Sequence, residues 1–152
     1  MVARRTWLTL VLAVAAVETL LLVAQYFLGL WTAAYAPAAF TSDSSFPSLD
    51  WHYTVGFTLF FVGILLVALA ALSRDLRLIG GAIVVVVSVL VAGNLGAAFV
   101  SSTPNDAADA FGMGVLFLVA FVASMGVVMT AARGRRHAEM AAARALAATP
   151  SG

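Results

Sequence analysis

Glu18 has the first claim on chemistry, because it stands inside the unbroken apolar run 7–31. At 1.5 Å per helical residue it lies about 16 Å past Trp7, near the midplane of a bilayer. A carboxylate at that depth costs several kcal/mol unless it is protonated or paired, so an intramembrane acid is read first as a functional group. Gln25 and Gly29 follow on the same helical face, each within about 20° of the Glu18 direction. Two roles are open to this polar stripe. One is a hydrogen bond that ties neighbouring helices together; the other is proton or cation handling.

A second face belongs to the stretch 50–63, Asp-Trp-His-Tyr-Thr-Val-Gly-Phe-Thr-Leu-Phe-Phe-Val-Gly. On a helix, Gly56 lies about 40° and Gly63 about 20° from His52, so a histidine stands above a two-glycine groove. His52 is either an interfacial residue between Trp51 and Tyr53, or a proton-responsive partner of Asp109 or Glu18, since imidazole titrates near neutral pH. Asn94 sits in the small-residue patch 92–98, where helices approach closely and an amide bonds across the contact. Gly112-Met113-Gly114 is similar, with Met113 a gap filler or a soft thioether ligand. Gln25, His52, Asn94 and the turn holding Asp109 and Met113 share one depth, and Glu18 lies one or two turns deeper. Convergence of these faces gives an outward-opening polar pocket whose candidate ligands are Glu18, Gln25, His52, Asn94 and Asp109.

A helical histidine with glycine one turn on, as in His52 and Gly56 with Gly63 beyond, resembles the haem-carrying helices of four-helix membrane b-type cytochromes and the half-bundles of haem A synthases. The resemblance covers one helix and the four-span layout. It implies haem b held by His52, with Gly56 and Gly63 admitting the flat macrocycle, and electron or haem handling near the outer face. Those families use a second histidine on another span, and this chain has none: His137 falls in the basic tail. Met113 is then the second axial ligand, unless a partner chain supplies one. The glutamate–histidine pair that haem A synthases carry on one helix is also absent.

These residues need helices to hold them, and the composition supplies four. The chain has 152 residues, 63% apolar and 10% charged, whereas a soluble domain carries about 25% charged residues. Such a chain cannot cover its own surface in water. The apolar run 7–31 spans about 37 Å, enough to cross a hydrocarbon core of about 30 Å. A cleaved signal peptide is the rival reading, but the run continues past the 7–15 residues of an h-region. Helices are expected over about 7–31, 51–73, 78–100 and 107–132, followed by a basic tail, 133–152. The β-branched third segment must also be helix, because a backbone in lipid has to satisfy its own polar groups. Asp50 is the expected N-cap of the second helix, and Thr103, Pro104 and Asp106 form the expected start of the fourth.

All eight basic residues are arginines: Arg4, Arg5, Arg74, Arg77, Arg133, Arg135, Arg136 and Arg144. They precede the first span, separate the second from the third, and follow the fourth. The other two connections carry Asp43, Asp50, Asp106 and Asp109 instead. This bias predicts an all-α, up-down-up-down four-helix bundle, multi-pass in the cell membrane, with both termini in the cytoplasm. The lipid bilayer is the expected partner, with a homo-oligomer or a larger membrane complex as the wider setting, and nucleic acid has nothing to recognise here. No cysteine is present, which leaves no disulfide and no thiolate metal site. No catalytic set assembles. The expected function is a non-enzymatic accessory or assembly module with an outward-facing polar pocket. The alternatives are a haem-b redox protein using His52 and a proton-coupled small transporter unit using Glu18.

Overall fold

The computed structural model describes residues 2–35, 47–101 and 107–147. They form four helices: α1 (Val2–Tyr35), α2 (Pro47–Ser73), α3 (Leu76–Ser101) and α4 (Ala107–Ala147). Each is long and apolar enough to cross a membrane. α1 and α2 extend beyond the expected spans by a turn or so. α4 runs on past its apolar part, and its 41 residues measure about 60 Å. α2 starts at Pro47, whose fixed φ suits a first turn. Asp50, expected as the cap, therefore lies inside the helix, in its first turn. The expected Thr103–Pro104–Asp106 helix start lies outside the described residues.

Consecutive helices pack side by side, and α4 returns to α1 to close a ring. Neighbours run antiparallel. On α1 and α2, Gly29 faces His52, Gly56 faces Gln25 and Gly63 faces Glu18. On α3 and α4, Gly81 meets Val127 and Gly96 meets Met113. Arg5 on α1 reaches Glu139 on α4, 3.4 Å away, and Arg135 Nε meets the same carboxylate oxygen at 3.5 Å. The chain ends and the α2–α3 turn thus share one end of the bundle, here the arginine end.

The buried positions explain how the ring holds. They are Leu8, Val11, Ala15, Glu18, Leu22 and Gln25 on α1, and Leu59, Gly63, Leu66, Ala70 and Ser73 on α2. On α3 they include Leu78, Ala82, Val85, Val89 and Ala92, and on α4 Ala120, Ser124, Val127 and Ala131. The steps alternate between three and four residues on every helix. That average period of 3.5 keeps one seam turned inward and is the spacing of left-handed bundles. Outward positions are as apolar as the core: Leu20, Phe57, Phe61 and Phe111 are each at least 65% exposed, as lipid-facing side chains should be. The core falls into two apolar clusters, one toward the arginine end around Val11, Leu66 and Ala131, the other around Leu22, Leu59 and Ala120.

The turn between α2 and α3 is closed by its own side chains. Ser73 Oγ donates to Ala70 O at 2.7 Å, and Arg74 N donates to Ala71 O at 3.1 Å. Arg74 takes φ 58°, the left-handed conformation that ends many helices and that glycine usually supplies. Asp75 then caps α3, its Oδ1 accepting from Arg77 N at 3.0 Å.

Candidate functional site

The Glu18 stripe and the His52 groove, read separately from the sequence, lie against each other along the α1–α2 seam. Each polar side chain rests on a glycine of the opposite helix. A Cβ at Gly63 would stand 3.6 Å from Glu18 Oε1, one at Gly56 would stand 3.3 Å from Gln25 Nε2, and one at Gly29 would stand 3.4 Å from His52 Cε1. A Cβ at Gly63 or Gly29 would meet these side chains in ordinary van der Waals contact, and only the Gln25 approach to Gly56 is tighter than that. Space does require glycine at Gly63, but on its α3 side, where Val86 Cγ2 is only 2.8 Å from the Cβ position.

Glu18 is fully buried, between the two apolar clusters. Neither carboxyl oxygen has a hydrogen-bond partner among the described residues. Gly63, on which it rests, offers no side-chain donor, and no arginine lies at this depth. The interhelical bond expected of a purely structural acid is therefore missing. That role falls instead to the adjacent residue: Thr19 Oγ1 and Ser124 Oγ are 2.8 Å apart across α1 and α4. Thr19 donates to Ala15 O at 2.8 Å, and Ser124 Oγ reaches the same backbone oxygen at 3.3 Å, so the Ser124 hydroxyl has both Thr19 Oγ1 and Ala15 O as acceptors on α1. Sequence reading passed over this pair. Its signal was a lone serine in the otherwise apolar stretch 115–129 of α4.

Toward the arginine-free end, Gln25 is 5% exposed, and its Nε2 donates to the backbone oxygen of His52 at 3.0 Å. Gln25 Oε1 and His52 Nδ1 are both buried without partners. The orphaned polar atoms of the described residues thus all belong to Glu18, Gln25 and His52. A buried polar atom left unpaired costs about 1–3 kcal/mol, so three such residues along one seam mark a place for water or protons.

The other candidates lie apart from this seam. Asn94 is exposed, and its amide donates back to Leu90 O one turn earlier at 2.8 Å. It belongs to no common pocket. Asp109 is half-buried in the first turn of α4. Met113 is turned to α3, its Sδ 3.2 Å from a Cβ position at Gly96. The four polar faces therefore converge only in part, on α1 and α2. Two open surface grooves lie elsewhere: one of about 350 Å³ between α2 and α3, lined by Ile64, Val67, Ala68, Ile83, Val86 and Val87, and one of about 340 Å³ beside Arg5 and Thr9.

The residues implied for haem do not fit one. Gln25 and Glu18 fill the glycine groove where the macrocycle would lie, and His52 and Met113 face different helices, α1 and α3. Among the described residues no group of three His, Cys, Asp or Glu side chains is placed to hold a metal ion. Set against known proteins, the chain matches no family model, no curated protein and no solved structure. The functional reading rests on the seam itself.

Proposed function

We propose that the protein is a non-enzymatic, multi-pass module of the cell membrane whose Glu18 takes up and releases a proton within the bundle. The observation that carries this reading is the fully buried Glu18 carboxyl with both oxygens unbonded. A structural acid would be tied to a facing donor, and here Thr19 and Ser124 make the interhelical bond beside it. An unpaired charge is expensive in such a place, so this packing accommodates the neutral acid, and ionisation must be met by water or by movement of the helices. Coupling between proton occupancy and helix packing follows. It suits a proton-responsive subunit of an oligomer or of a larger membrane complex, with the arginine end in the cytoplasm.

A hydrophobic carbodiimide tests the reading in the purified, membrane-reconstituted protein. The reagent takes the proton of a neutral carboxyl on nitrogen while a carboxyl oxygen bonds to its central carbon. The acyl group then migrates to nitrogen, and every atom is retained in the adduct. Mass spectrometry of the protein should find the adduct on Glu18, with labelling that falls as pH rises. A Glu18→Gln variant should fold normally and stay unlabelled at that position. Absence of labelling at every pH, in a folded protein, would overturn the proposal.

A further inference from the structure

Resting on that reading of Glu18, we infer that its proton comes from the arginine-free end, along the α1–α2 seam by way of His52 and Gln25, with the Leu22–Leu59 layer as the barrier it must cross. The two directions away from Glu18 are built differently. Toward the arginine end, apolar packing runs through Ala15 and Val11 to Leu8, about 15 Å along α1. Those layers add Leu66, Ala70 and Val127 from the other helices and hold no orphaned polar atom among the described residues.

Toward the other end, one layer intervenes. Leu22 and Leu59, each 1% exposed, stand between Glu18 and Gln25, whose Cα atoms are about 10 Å apart along the helix. Beyond that layer the seam is polar. Gln25 Oε1 and His52 Nδ1 are unpaired and buried, and the Gln25 amide is held by the His52 backbone oxygen. An acceptor and a ring nitrogen with nothing opposite them are suited to holding a water molecule, which needs two to four polar partners to stay. The α2–α3 groove offers no rival route, because its lining is entirely aliphatic.

Few other charges interfere. α1 carries no titratable side chain between Arg5 and Glu18, and beyond Glu18 only Tyr26, which is exposed, and Tyr35 at the end of the helix. On α2 the groups are Asp50, His52 and Tyr53, all at the arginine-free end. α3 has none from Leu78 to Val100, and α4 has none between Asp109 and Arg133. A site in contact with one aqueous phase takes its occupancy from the pH of that phase alone. Glu18 should therefore report the pH at the His52 end.

The experiment uses the full chain in vesicles, with orientation fixed by protease access to a C-terminal tag and with the two aqueous phases buffered separately. Carbodiimide adduct on Glu18 is the readout. Acidifying the arginine-free side should raise the labelling rate, by up to about tenfold per pH unit, while acidifying the arginine side should leave it unchanged. Gln25→Leu should slow the response to a pH step several-fold. Ser124→Ala, at the depth of Glu18 on α4, should not, and it controls for general loosening of the core. Labelling that follows the arginine-side pH, or equal slowing in both variants, overturns the route while leaving Glu18 a proton site. Failure to label under any condition removes the proton site itself.

Discussion

Adjacent glycines at the start of α3 show how sharply this bundle distinguishes one position from the next. A Cβ at Gly81 would stand 2.7 Å from Val127 Cγ2, whereas one at Gly80 would meet nothing within 4 Å. Valine is β-branched and has little rotameric freedom in a helix, so it cannot swing aside. Gly81→Ala should cost about 1–3 kcal/mol through overpacking. Gly80→Ala should be neutral or stabilising by up to about 1 kcal/mol through helix propensity. Unfolding of the two variants in the same detergent compares them directly. Glu18 gives a second contrast. If its carboxyl were held by a facing helix, Glu18→Leu would cost about 1 kcal/mol. Because the oxygens are unbonded, the substitution should instead leave stability unchanged or raise it by about 1–3 kcal/mol, the penalty of an unsatisfied buried group. A thermal melt that drops for Glu18→Leu but not for Glu18→Gln would mean that the acid has a partner.

At the scale of the element, the α2–α3 turn ties conformation to capping. Asp75→Ala removes the acceptor for Arg77 N and should cost about 0.5–2 kcal/mol. Arg74→Gly should recover about 1 kcal/mol of left-handed strain, with Arg77 still marking that end. Denaturant titration of both variants would check the opposite signs. The four spans were legible in the sequence because lipid demands long apolar helices. The inward seam was not. Lipid-facing residues such as Phe61 and Leu118 are as apolar as Leu22 or Leu59, so hydropathy shows no preferred side on any helix. Only residues at odds with lipid broke that symmetry, which is why Glu18, Gln25 and His52 were found at the right faces. Asn94 obeyed the same rule and misled: an amide can satisfy itself on its own helix, and here it bonds Leu90 O. Haem likewise followed from a groove seen on one helix, before the side chains that fill it from the other were known.

At the scale of the whole molecule, the antiparallel ring gathers every described arginine at one end, beside the Arg5–Glu139 pair. A reporter active only in the cytoplasm should therefore work when fused at residue 152 and fail when inserted within residues 41–45. Activity at the second site would overturn the proposed orientation. Neutralising Glu139 with glutamine should change stability by less than about 1 kcal/mol, since exposed ion pairs contribute little. The pair matters more for where it places the chain ends. With Arg5 on Glu139, and Leu8 packed on the Gly134 backbone, the bundle is a nearly closed loop, and its covalent break lies between α4 and α1. Moving that break should be tolerated: a circularly permuted chain, its old ends joined by a short linker and its new ends placed at Arg74, keeps every helix pair and leaves both termini on the same side. The order of synthesis would become α3, α4, α1, α2, so the tight α3–α4 hairpin would enter the membrane first and the Glu18 seam would be completed last.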